Sequence, residues 1–332
     1  MTRTPDDSGS GRGLRSILKR IGVTLLVLGL LAWVLHRAWR EAATIDWDAL
    51  QVQPALIVLS VVAVVLAWGW HGVVWAVMVR GLGYDLSTPV AIRAALVGNL
   101  GNYIPGKVFI VIFRAKLVEC EAVPAMIVAS SVVLETLLRN MVAALLAVFG
   151  LWHLGMGGSY IGGLALMLGI SVIVVHPAVF NRLTDFVLRR LKRPPLPRHL
   201  SLRRTTALLA GYVVYWTLYV LAFFLLTRGT LGAEVSDIPA LAVALFLTLI
   251  ASMLAVFTPV GLGVADATLA SVLGLTGAVP GAAVLAVIVR VWRTLTEVGV
   301  AGIGWLLPID PGVSLSDAVE DEEDVAVEYE SE

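Results

Sequence analysis

Six charged residues sit inside stretches whose other side chains are almost all apolar or small. Glu135 and Arg139 lie within 124–150, Arg290, Arg293 and Glu297 within 280–308, and Asp266 is the only Asp, Glu, Lys or Arg between Asp237 and Arg290. Charges at such positions are costly in hydrocarbon, turn toward the protein interior and mark functional candidates. Glu135 and Arg139 are four apart, and Arg290, Arg293 and Glu297 are three and four apart, so on helices each set shares one face. Glu135 with Arg139 balances itself. Arg290 and Arg293 against Glu297 leave one positive charge over, which Asp266 could neutralise. A guanidinium in a cavity suits phosphate or carboxylate, which it grips with two parallel N–H donors. The alternative is a self-neutral network that pins helices together.

Two glycine-proline turns accompany these charges: "GNLGNYIPGKVFIVIFR" from Gly98 to Arg114 and "FTPVGLGVADA" from Phe257 to Ala267. Exposed backbone N–H groups at such turns attract anions. Tyr103, Pro105, Gly106 and Gly261 belong to the turns, and Lys107 either adds a cation there or reaches an interface.

The elements that must hold these residues follow from composition. The chain has 332 residues, 58% hydrophobic and 14% charged, with a mean hydropathy of +0.89. Soluble domains carry about 25% charged residues, so this composition describes an all-α integral membrane protein. The single Cys120 and five scattered histidines provide no metal site, no nucleotide or nucleophile motif is present, and no cofactor or nucleic acid is expected. Ten acidic residues from Asp310 onward leave fourteen acids against 24 basic residues elsewhere, a body of about +10 behind an acidic tail. The ten tryptophans read as interfacial anchors or packing.

Apolar stretches at 17–39, 55–79, 124–150, 160–180, 206–228 and 280–308 are long enough to cross ~30 Å of hydrocarbon. Arg3, Arg12, Arg15, Lys19 and Arg20, and eight basic residues in a 181–205 loop, place both regions in the cytoplasm. Parity then makes 91–120 enter and leave from the cytoplasm. Its arms 91–104 and 106–119 each rise only ~20 Å, so it reads as a re-entrant hairpin, and 238–277 as a second one from outside, although 238–258 alone could span. The segments repeat: Pro105 to Pro124 and Pro259 to Pro280 each run from a glycine turn to an "AVP" that opens a long helix. About six full spans plus two broken hairpins, four segments and four, form an inverted repeat of the kind that builds alternating-access transporters. The domains are a polar, disordered 1–16, a membrane body 17–308 (repeats 17–150 and 160–308) and a disordered cytoplasmic tail 309–332.

"GNLGNYIPGKVFIVIFRAKLV … VVLETLLR" and "TPVGLGVADATLASVL … VIVRVWRTLTE" resemble the flippase-like transmembrane domain of lysylphosphatidylglycerol synthetases over roughly 17–308. By matching position the resemblance assigns Pro105, Gly106, Arg114, Glu135, Gly261, Gly263, Asp266 and Arg290 to the family's motifs. Val260 stands where the pattern favours Gly, Ala265 where it favours Arg, and Asp266 where it favours Glu. Either the substrate differs from aminoacylated phosphatidylglycerol, or Arg293 supplies the missing charge. The resemblance implies translocation, across the cytoplasmic membrane, of a lipid with a charged, phosphate-containing head group, such as an aminoacyl-phospholipid or a polyprenyl-phosphate-linked lipid. A lipid-modifying enzyme would be the partner. The full synthetases carry a soluble acyltransferase-like domain after the membrane part, and the 24 residues after Pro308 do not hold one, so catalysis by this chain is not expected. An accessory or scaffold role in an envelope-lipid pathway, and ion-coupled transport of a small solute through Asp266 or Glu135, stay open beside it.

Overall fold

The computed structural model describes residues 50–103, 108–156, 159–254, 263–277 and 281–307, together with His36 and Arg40. The expected first span at 17–39, the residues Pro105, Gly106, Lys107 and Gly261, and the tail lie outside the described residues. Among those described, every regular element is helical: α1 Pro54–Gly81, α2 Thr88–Gly98, α3 Val108–Val118, α4 Ala125–His153, α5 Ser159–Val175, α6 Pro177–Arg190, α7 Leu202–Leu231, α8 Ile238–Leu254, α9 Val264–Thr276 and α10 Ala282–Leu306. In hydrocarbon a helix satisfies its own backbone groups, which no exposed strand edge can do.

α1, α4 and α7, and the segment Val235–Ser252 that covers most of α8, are long and apolar enough to cross a membrane. The chain is a multi-pass membrane protein. α10 has the length, at 25 residues, but carries Arg290, Arg293 and Glu297 along its middle. The expected 160–180 span breaks instead at His176 and Pro177, where α5 and α6 meet at 68°. Proline has no N–H and collides with the preceding turn, so α5 stops there. The expected basic loop is likewise half helix: α6 turns Phe180 and Leu188 inward and leaves Leu183 and Phe186 exposed. Asp185 accepts from Leu196 N at 3.2 Å, and Asn181 exchanges two hydrogen bonds with the Leu200 backbone.

The chain ends of the helices can be sorted by contact. Arg204 Nη1 donates to Gly81 O at 3.2 Å, so the end of α1 and the start of α7 share one face of the bundle. At the opposite face Gln53 N donates to Gly229 O at 2.8 Å. Ser87 N donates to Glu121 Oε2 at 2.7 Å, which returns the α2–α3 segment to the face it left. Gly281 packs against Leu231, and α8 lies on α9, so the second hairpin returns to the other face. Two hairpins therefore enter from opposite ends. Each also lies on the long helix of the other half, α2 on α10 and α8 on α4.

Small residues set how closely the first hairpin folds. A Cβ on Gly101 would lie 2.4 Å from Ile110 N, and one on Gly98 would lie 2.6 Å from Arg114 Cγ. Without a hydrophobic drive between helices in lipid, such close backbone approach supplies the packing. The 3-10 turn Asn99–Tyr103 that follows α2 can then reach the middle of the bundle.

Candidate functional site

Glu135 is ten residues into α4, and His71 is ten residues before the end of α1 at the same face, so both lie about 15 Å deep. Arg114 of α3 meets Glu135 with both terminal nitrogens, Nη1 on Oε2 and Nη2 3.4 Å from Oε1. Its guanidinium stacks over Trp75 at 4.9 Å, and Trp75 Nε1 donates to Ser131 Oγ at 3.0 Å. His71 Nε2 lies 3.0 Å from Glu135 Oε1, though off the line of a straight hydrogen bond. Arg139 Nη1 is 3.8 Å from the same oxygen. The expected Glu135–Arg139 pair is present but long, and a second arginine from another helix joins it. Arg114 holds the carboxylate, and Arg139 is left with a loose contact.

The second cluster joins the first hairpin to α10. Tyr103 Oη donates to Glu297 Oε2 at 2.7 Å, and Arg293 Nε donates to Glu297 Oε1 at 2.8 Å. The third is the pair of Asp266 with Arg290, two-pronged through Nε and Nη2. Asp266 also accepts from Gly263 N at 3.0 Å, closing the first turn of α9. Gly263 has φ +84°, a conformation other residues resist, so the glycine at this position is required by the turn. As expected, Asp266 takes up one of the α10 arginines. Among the described residues of these three clusters, four arginines thus face three carboxylates, and Arg139, in the first half of the chain, has the longest carboxylate contact.

A cavity of about 180 Å³ lies where both hairpins meet the long helices. Arg139, Arg293 and Glu297 line it. Arg114, Glu135 and Tyr103 stand behind its wall, and Asp266, Arg290 and Gly263 are not among its lining residues. The residues missed in the sequence are aromatic and amide. Trp68, Tyr215, Trp216, Tyr219 and Trp292 form a chain of ring contacts with centroids 5.0–6.2 Å apart. They line the cavity with Asn99, Asn102, Asn140, Thr248 and Ser252. Trp68, Trp75, Trp216 and Trp292 are buried, and the three that line the cavity are more than packing. The signal was present in α7, where Tyr212, Tyr215 and Tyr219 recur at three and four residues on one face. His71 had no such signal, because its partner is 64 positions away on another helix.

Trp292 also lines a second concavity, an apolar groove of about 380 Å³ between α1, α7 and α10. Val61, Leu295 and Ile303 of that groove are exposed on the outside of the bundle. Trp292 Nε1 donates to Ser60 Oγ at 3.0 Å, fixing the ring between groove and cavity. A cationic, aromatic chamber thus shares one wall residue with a greasy channel on the lipid-facing surface.

The family model for the lysylphosphatidylglycerol synthase TM region matches residues 19–302. No curated protein and no solved structure gives a significant match.

Proposed function

Since the chain belongs to the family of the lysylphosphatidylglycerol synthase TM region, we propose that it translocates a lipid with a phosphate-containing head group across the cytoplasmic membrane. The observation that carries this reading is the shared wall at Trp292. An amphiphile needs a polar chamber for its head and an apolar groove for its tail, side by side, and a small solute needs only the first. Arg139 is the phosphate-binding candidate, because it lines the cavity and its own carboxylate contact is 3.8 Å, beyond hydrogen-bonding distance. Arg293, tied to Glu297, borders the same space.

The two hairpins support reading the molecule as an inverted repeat. The pair α3–α4 corresponds to α9–α10, and α4–α8 corresponds to α10–α2. The eight basic residues between 181 and 205 support a cytoplasmic reading of the face that carries Gly81 and Arg204. The cavity wall offers cations, amides and ring faces for holding a head group, so the reading is transport and not catalysis, with the lipid supplied by a separate modifying enzyme. The accessory reading has one observation in its favour. The Asp266–Arg290 pair is self-neutral and does not line the cavity, as an architectural tie would be.

Reconstitution separates the two. In proteoliposomes with fluorescent phospholipids, the wild-type chain should move lipid between leaflets, and Arg139→Ala should slow it at least about tenfold, the loss of one charge-assisted contact, with little change in melting temperature. No movement of any phosphate-bearing lipid by the wild type would leave the accessory role.

A further inference from the structure

His71 has no part in the transport reading, yet it is fully buried in the middle of the bundle. With its Nε2–H turned to Glu135, the lone pair of Nδ1 is free to accept a proton, and Nδ1 has no hydrogen-bond partner among the described residues. Four more buried atoms share that condition in the network around Glu135: His71 Nε2, which is near the carboxylate but poorly aligned, Arg114 Nε, Arg139 Nε and Tyr212 Oη. Buried polar groups are rarely left unpaired, and five about one carboxylate mark a site built for something that comes and goes.

The charges facing His71 can be named from every element packed on α1. α4 presents Glu135 and Arg139, α3 presents Arg114, and α7 presents Tyr212 and Tyr215, with ring centroids 6.2 and 5.6 Å from the imidazole. α2 presents Arg93, which is drawn to the Trp305 ring, and α10 presents Arg293 and Arg290, which are held by Glu297 and Asp266. With His71 neutral, Arg114, Arg139 and Glu135 sum to one positive charge. A proton on Nδ1 raises that to two in a low-dielectric interior, which is strongly unfavourable unless an anion arrives. The place open to an anion is the cavity. Arg139 lines it, and Trp68 and Tyr215, both in ring contact with His71, form the wall between.

We propose that His71 and Glu135 form a proton-binding site whose occupancy is linked to anion binding at Arg139 in the cavity. The step forms one N–H bond at Nδ1 with a proton from water and breaks no bond in the protein. Linkage is reciprocal, so an anion in the cavity tightens proton binding at His71 and the proton tightens the anion by the same factor. If the anion is the lipid phosphate of the transport reading, on which this part rests, head group and proton load and unload together. Lipid movement then draws on the proton gradient.

The test uses the full chain in nanodiscs with ring-15N histidine, and His71→Gln to assign the signal. The probe is dihexanoylphosphatidylglycerol, followed by calorimetry in two buffers of different ionisation enthalpy. The expected result is an imidazole at position 71 whose charge state changes when the probe binds, together with uptake of up to one proton per probe bound. Affinity should fall by up to about tenfold per pH unit as pH rises. In His71→Gln the uptake should vanish and the affinity should stay at the wild type's high-pH value. An imidazole that keeps one charge state throughout, with or without probe, overturns the proposal, as does the same pH slope in His71→Gln. If no probe binds, the lipid reading fails and the linkage with it, whereas an imidazole that still titrates retains the proton site. If His71→Gln does not fold, a chain with His36, His153, His176 and His199 replaced by Gln leaves one imidazole signal, and its titration decides.

Discussion

The same joint occurs twice in this molecule, once in each half, and the two copies differ in sign and in depth. In the first half, the arginine is on the returning arm of the hairpin (Arg114 of α3) and the acid on the next long helix (Glu135 of α4). In the second half, the acid is on the returning arm (Asp266 of α9) and the arginine on the long helix (Arg290 of α10). The side chains of the first pair are 2% and 4% exposed, those of the second 10% and 24%. The first has also gathered His71 and Arg139, while Asp266 of the second also accepts a backbone N–H from Gly263. A hairpin arm must be tied to the helix it leads into, and an ion pair does this whichever end is positive. Among the described residues, the first copy is joined by Arg139, which lines the cavity and leaves that cluster with more cation than anion.

The largest effect should come from breaking that copy. Glu135→Gln strands two arginines and should destabilise the protein by about 3–5 kcal/mol, read as loss of the folded peak in detergent or a large drop in melting temperature. An unchanged melting temperature would show that Glu135 is not the anchor. Tyr103→Phe removes a hydrogen bond to a buried carboxylate and should cost about 1.5–3 kcal/mol. It should also loosen the first hairpin selectively, seen as faster amide exchange in 99–103. Arg290→Ala acts on the less buried joint, and a smaller loss of about 1 kcal/mol is expected. A loss as large as that of Glu135→Gln would erase the distinction between the two joints.

The smallest effect concerns Cys120, between the first hairpin and α4. Partial burial, and then the neighbouring Glu121 carboxylate, push its thiol up from the usual value. The reactive thiolate is therefore scarce at neutral pH, and maleimide labelling of Cys120 should be slow there and accelerate as pH rises. Labelling as fast as that of a free thiol such as glutathione at each pH would place the hairpin's return in open water.

How much of this was legible in the sequence depends on the range of the interaction. Helices α1, α4 and α7, the two hairpins, and the pairing of Asp266 with the α10 arginines follow from apolar length, glycine-proline turns and charge spacing along the chain. Those are local signals, and the bilayer makes them strong because unpaired backbone and bare charge are both so costly there. The bend at Pro177 was also local, but it was masked by an apolar run that continues through it.

The cavity was not legible, because none of its walls is local. Arg139 meets Trp68, Tyr215 and Arg293 only after four helices have packed, and which carboxylate each arginine takes is settled by that packing. By itself the sequence determined that charged, glycine-broken hairpins must be buried in a membrane bundle, since the solvent there forbids the alternative. Tertiary structure decided which charges cancel. Arg114 is nearer to Glu135 than Arg139 is, so among the described residues of these clusters the cation in excess faces the chamber, beside a histidine that nothing in its own stretch of chain singles out.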